Sequence, residues 1–166
     1  MYWIPVIALC VHVLEEFPRF PAWASRHFGS TSRAWYVYTH VAIAATFGIV
    51  SARAQAVGPG SQWATLALAC QWLLATNAIF HIATTLWFRE YSPGLVTGVL
   101  FVLPATAYLY DRAISLAVFT NSQVVWAIAV GATLSAAATA SLWLRADFDW
   151  TLRRPPVRQR SVLPPR

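Results

Sequence analysis

Lysine is absent from this chain, acidic residues number six, and charged side chains make up only 11% of its 166 residues. With 58% hydrophobic content, so little charge excludes an ordinary soluble domain, and the length excludes more than one membrane unit. Cysteine is scarce too. Cys10 and Cys70 lie in apolar stretches without a CxxC partner, so no disulfide framework follows and both read as small core hydrophobes. The formal charge of +6 comes from arginine alone. Half of the twelve arginines (Arg145, Arg153, Arg154, Arg158, Arg160, Arg166) sit in or just before the last stretch, which fits a cytoplasmic tail rather than a nucleic-acid face. This arginine bias hints at a bacterial source. No basic region precedes the first apolar helix, which therefore reads as a retained helix and not a signal peptide.

What is present is apolar sequence in five stretches, about 2–17, 34–53, 62–88, 93–118 and 122–145, against the ~20 residues that span hydrocarbon. The expectation is an all-α integral membrane bundle of five transmembrane helices over residues 1–150, followed by a basic, Pro/Arg-rich, disordered tail over 151–166. Pro18 and Pro21 end the first stretch, and Phe20 to Phe28 reads as a segment in the membrane interface. Gly58-Pro59-Gly60-Ser61 is a turn, and Ser92-Pro93-Gly94 opens the fourth stretch. With the N-terminus outside and the C-terminus cytoplasmic, ten of the twelve arginines fall on the inner side and only Arg53 and Arg112 on the outer. The localisation that follows is the bacterial inner membrane, multi-pass.

Polar side chains interrupt three of these stretches. The run His12-Val-Leu-Glu15-Glu16 closes the first, His40 lies two turns into the second, and Asn77 and His81 lie near the end of the third. Ionisable groups in hydrocarbon cost several kcal/mol each and mark functional positions. In the five-span topology all of them come within roughly 10 Å of the cytoplasmic boundary, at 1.5 Å rise per residue. Spacing i, i+3, i+4 puts His12, Glu15 and Glu16 on one helix face, and i, i+4 does the same for Asn77 and His81. Imidazoles with carboxylates suit a borderline divalent metal, iron or zinc, with His12, Glu15, Glu16, His40 and His81 as candidate ligands. Glu15 and Glu16 point about 100° apart on a helix, so one is expected as ligand and the other as base or supporting partner.

A second reading needs no ion: a buried carboxylic acid delivers a proton while His and Asn orient substrate. Some of the nine tryptophans, among them Trp35, Trp72 and Trp87, would then line a pocket, although tryptophan at a span end is usually an interfacial anchor. The bland alternative is that the polar groups only tie helices together, at about 1 kcal/mol per interhelical hydrogen bond. A buried Glu-Glu pair beside a His argues against it. His27, in the polar loop, reads as a solvated or interfacial residue.

The strings His12-Val-Leu-Glu15-Glu16, Asn77-x-x-x-His81 and Arg89-x-x-Ser92-Pro93-Gly94 together resemble the HXXEE-domain family of small bacterial integral membrane proteins, over about residues 5 to 145. The resemblance implies functional roles for His12, Glu15, Glu16, Asn77, His81 and Arg89, and an enzymatic activity with no assigned general reaction; His40 is added from its depth alone. Looser likenesses, without a motif match, run to intramembrane CAAX-type proteases, sterol-isomerase-type enzymes and membrane terpene cyclases.

The sequence-level expectation is therefore a metal-dependent membrane enzyme, an oxidoreductase or a hydrolase, acting on a lipophilic small molecule within the bilayer. Glu15, Glu16, Asn77 and Arg89 are its catalytic candidates. The alternatives are a metal-free acid/base isomerase or terpene/lipid cyclase using Glu15 or Glu16, and a metal or proton carrier or sensor. Against a carrier, the outer half offers only scattered polar residues such as Thr46, Ser51, Gln62, Thr65 and Gln71.

Overall fold

The computed structural model describes residues 1–152, with side chains described as far as Trp143, and it is helical throughout with no strand among the described residues. The elements are α1 (Ile4–Glu16), α2 (Phe20–His27), α3 (Arg33–Val57), α4 (Gln62–Phe88), α5 (Leu95–Thr97), a π-helical turn (Gly98–Val102), α6 (Leu103–Ser115) and α7 (Asn121–Leu152). The basic tail expected from residue 151 lies, from 153 onward, outside the described residues.

Local chemistry sets the boundaries. Proline occupies the first turn of α1, α2 and α6, where its missing N–H is not needed. Ser32 and Ser61 cap α3 and α4 by accepting from the Trp35 and Ala64 N–H groups. Gly58 ends α3 at φ +93°, and Gly60 (φ +74°) completes the turn. The π turn precedes Pro104, which can donate nothing to the carbonyl of Leu100 and crowds it; widening the ladder to i→i+5 relieves both faults, and the Leu103 N–H bonds the Gly98 carbonyl.

Among the described residues three helices are long and apolar enough to cross a membrane: Arg33–Val57, Gln62–Phe88 and Asn121–Trp143. The other two expected spans differ from a simple membrane helix. Pro18 stops the first after a 13-residue helix, about 20 Å long against a hydrocarbon core of ~30 Å. The fourth is broken by the π turn into α5 and α6.

Helix α4 is the hub, packing against α1, α3, α6 and α7. Its contact with α7 is close because Gly131 has no side chain: a Cβ there would stand 2.5 Å from the Ala69 carbonyl oxygen and 2.8 Å from Trp72 Cβ. Gly131, together with the buried Ala127 and Ser135, thus serves a contact within the chain. One apolar core joins α3, α4, α6 and α7 around Ala54, Leu68, Leu109 and Ala127. Two smaller ones, around Leu9, Phe47 and Leu74 and around Phe20, Trp23 and Tyr36, flank the polar residues of α1 and α4.

Candidate functional site

Helices α1, α3 and α4 bring His12, Glu16, His40, Asn77 and His81 to one point. His81 Nε2 lies 2.9 Å from Glu16 Oε1, His12 Nε2 3.5 Å from the same oxygen, and His40 Nε2 3.5 Å from Glu16 Oε2. The i, i+4 spacing of His12 and Glu16 turns both inward from α1. His12, Glu16 and His81 are buried, and one ligand atom from each lies within 4.8 Å of the others. Among the described residues Glu16 pairs only with imidazoles, and Tyr36 O–H donates to its Oε2 at 2.7 Å.

Each imidazole turns Nε2 toward Glu16 and is held from behind at Nδ1 by an oxygen. His12 Nδ1 is 2.9 Å from Thr97 Oγ1, His81 Nδ1 is 2.9 Å from Ser92 Oγ, and His40 Nδ1 is 2.8 Å from the Tyr36 carbonyl. Outer partners of this type fix ring orientation at metal sites. A carbonyl can only accept, so His40 Nδ1 carries the proton, and a neutral His40 presents a lone pair at Nε2 toward a carboxylate oxygen. That juxtaposition calls for a cation, whether a proton or a metal ion. The His12 and His81 nitrogens and a Glu16 oxygen lie close enough together to hold a borderline divalent ion, while His40 faces the other carboxylate oxygen. Asn77 stands at the centre of the same group, its Nδ2 3.0 Å from His12 Nε2 and 3.1 Å from His81 Nε2.

Glu15 is not in this group. Its carboxylate accepts from the backbone N–H groups of Gly94 (3.0 Å), Val96 (3.1 Å) and Thr97 (2.6 Å) and from the Tyr91 hydroxyl. It pins the loop that supplies Ser92 and Thr97 to the two imidazoles. Burial, and secondarily the bond to Glu15, pushes the Tyr91 hydroxyl up to about 12, so it stays a donor at neutral pH. Gly94 (φ +109°) lets this loop lie against the rings: a Cβ there would meet His81 Nε2 at 2.8 Å and His12 Cε1 at 2.9 Å. Arg89 is exposed and caps α4 in a left-handed conformation at φ 52°, its described position carrying no contact with the cluster.

The segment after Pro18 folds as α2 and covers the site, with the Phe20 ring 5.8 Å from that of His81 and 5.9 Å from that of Tyr36. Other expectations are corrected. His27 closes α2 and is neither in a loop nor fully solvated: it stacks on Phe88 at 4.0 Å and bonds Glu90 at 3.0 Å, while Arg26 holds the same carboxylate at 2.5 Å. The Arg26 hydrogen bond, then that of His27, holds the Glu90 carboxyl below its ordinary range. Cys10 is exposed on the outer face of α1 instead of in the core. Trp87 is 83% exposed and Trp72 packs on Tyr110, so neither lines the site, whereas Trp35 packs at the edge of the aromatic core beside Tyr36.

Tyr36, Phe20, Ser92 and Thr97 went unnamed as site residues. Tyr36 had a signal, since it precedes His40 by one helical turn. No curated protein matches the chain, and no solved structure matches it either. The model of the family described as "Protein of unknown function with HXXEE motif" matches residues 3–109, which include His12, Glu15, Glu16, Asn77, His81 and the loop over the site, and this chain belongs to that HXXEE family.

Proposed function

We propose that this protein is an integral membrane enzyme that binds a divalent metal, iron or zinc, through His12, Glu16, His40 and His81 and acts on a lipophilic small molecule by oxidation or hydrolysis. One observation carries the reading: three imidazoles from three helices aim Nε2 at one buried carboxylate, each backed at Nδ1 by an oxygen. A buried carboxylate needs positive charge nearby. Bound there, the metal would supply Lewis acidity or redox chemistry. The chain's own residues do the rest. Tyr36 O–H steadies Glu16, Asn77 offers an amide to orient a polar substrate atom, and Phe20 on α2 excludes water.

The arginine distribution supports an orientation with the N-terminus outside and the C-terminus in the cytoplasm of a bacterial inner membrane. In that arrangement α1 and the broken α5–α6 segment complete five crossings beside the three longer helices, and the cluster sits within the inner half of the bilayer.

A second reading is favoured by Asn77, whose amide within hydrogen-bond distance of two Nε2 atoms satisfies their lone pairs without an ion. The site is then a metal-free acid/base centre, with an imidazolium paired to Glu16, suited to isomerising or cyclising a lipid or isoprenoid. Elemental analysis of detergent-purified protein separates the two. One equivalent of iron or zinc, lost in His12→Ala and His81→Ala, supports the metal reading; activity in metal-free protein rejects it.

A further inference from the structure

Two cavities meet at His40. On the lipid-facing side, a groove of about 420 Å³ runs between α1 and α3, walled by Cys10, Val13, Val37, Val41 and Ala44 and almost free of polar surface. On the inner side, a cavity of about 90 Å³ is walled by His12, Glu16 and Asn77. Leu9 and His40 line both. His40 is the only one of the four ionisable cluster members with appreciable exposure, 21% against 0–3% for the others.

We infer that the substrate is a single-chain lipophile with a small oxygen-bearing head, a long-chain alcohol, aldehyde or acid, admitted side-on through the α1–α3 groove past His40. The inference rests on the membrane-enzyme reading above and names its substrate class. Volume makes the selection. The groove falls within the roughly 300–1,000 Å³ of small-molecule sites. The inner cavity holds about three waters at ~30 Å³ each. That space takes a hydroxyl, aldehyde or carboxyl, and not a glycerophosphate or sugar. Charge agrees, because among the described residues no arginine lines either cavity, and the charged and ionisable groups there are the Glu16 carboxylate and the imidazoles. Asn77 and His40 are placed to meet the head. A second apolar groove of about 430 Å³, lined by Ile82, Leu86, Val96 and Val99, shares no residue with the cluster and provides an internal control.

The test uses the full chain in phosphatidylethanolamine/phosphatidylglycerol nanodiscs and hexadecanol carrying a mid-chain diazirine, with labelled peptides mapped by mass spectrometry. The expected result is labelling of α1 and α3 around Cys10, Val37 and Val41 at about ten times that of the control groove, equivalent to 1.4 kcal/mol of preference. Unlabelled hexadecanol competes, Ala44→Trp abolishes the preference, and Val99→Trp leaves it. Val41→Trp, at a 62% exposed rim position, replaces Ala44→Trp if the latter fails to fold. Even labelling of both grooves, or the same preference from a diazirine phosphatidylcholine, overturns the inference. Metal is assayed on the same samples. Preference in metal-free protein keeps the inference and rejects the metal; metal without preference does the reverse.

Discussion

Glu15 and Glu16 are chain neighbours whose carboxylates go to different places: Glu16 enters the imidazole cluster 2.9 Å from His81 Nε2, and Glu15 turns away to take the N–H groups of Gly94, Val96 and Thr97. Consecutive residues on a helix diverge by about 100°, so an adjacent pair cannot serve one centre alike. The HXXEE motif is thus two devices in one turn, a cluster carboxylate and a clamp on the loop that backs the cluster.

Substitution separates the two. Glu16→Gln is expected to abolish metal binding, read as loss of the metal equivalent. Glu15→Gln is expected to retain the metal and loosen the loop. Hydrogen bonds to a charged group contribute about 1.5–3 kcal/mol, so amide exchange at Gly94, Val96 and Thr97 should accelerate about tenfold or more, measured by hydrogen-exchange mass spectrometry. Unchanged exchange would remove the clamp from the argument.

The outer hydroxyls give a graded version of the same test. Ser92→Ala and Thr97→Val each strip one Nδ1 partner without touching Nε2. Loss of such a partner typically costs 10–100-fold in metal affinity. Each variant should therefore still fill at saturating zinc while its competition curve against a chelator shifts by about that factor.

Gly94 is where backbone, rather than side chain, shapes the site. Gly94→Ala places a Cβ in a left-handed conformation and drives it to 2.8 Å from His81 Nε2. Backbone strain of this kind is worth about 1–3 kcal/mol, and the imidazoles must also shift, so Gly94→Ala should lower both Tm and metal content. Gly98→Ala meets Ala78 Cβ at 3.1 Å and Cα at 3.4 Å and comes no nearer than 4.0 Å to His12 Cε1, so it should be the milder change in the same melting assay.

The polar residues of α1, α3 and α4 were legible because a carboxylate or imidazole in an apolar helix has few reasons to be there, and helical spacing alone faces His12 toward Glu16 and Asn77 toward His81. The different roles of Glu15 and Glu16 were half legible: the angle between them was, the destination of Glu15 was not, because backbone N–H groups 79 to 82 residues away leave no mark in side-chain spacing. Phe20 and Trp23 were hidden by composition. A short segment holding Trp, Arg and His reads as an interfacial strip, and nothing in its spacing shows that Phe20 packs against Tyr36 and His81. The π turn was signalled by Pro104, yet an apolar run around one proline looks the same whether the helix kinks or carries on.

The Glu90 cluster gives an acid-side prediction independent of the metal. Arg26 and His27 hold the Glu90 carboxyl below its ordinary value, so folded protein releases that proton more readily than unfolded chain does. The contribution is complete above the unfolded value of about 4.3 and is lost as pH falls through the lower folded value. Tm should therefore fall on acidification below about pH 4.3, and Glu90→Gln should flatten that part of the profile. Since the pair is exposed, raised salt should weaken the effect.

Metal removal tests the centre as a whole. A ligand that binds only the folded state stabilises by RT ln(1 + [L]/Kd), about 2.7 kcal/mol when free metal stands at 100 Kd. For a chain of this length each kcal/mol moves Tm by roughly 2–4 °C, so chelation should lower Tm by about 5–10 °C and readdition of zinc or iron should restore it. The shift should vanish in Glu16→Gln, whose cluster has lost its carboxylate, and persist in Glu15→Gln, whose cluster has not. A chelator-insensitive Tm in the wild type would instead leave the imidazolium–carboxylate centre, with Asn77 satisfying the Nε2 lone pairs, as the account of why these groups are buried together.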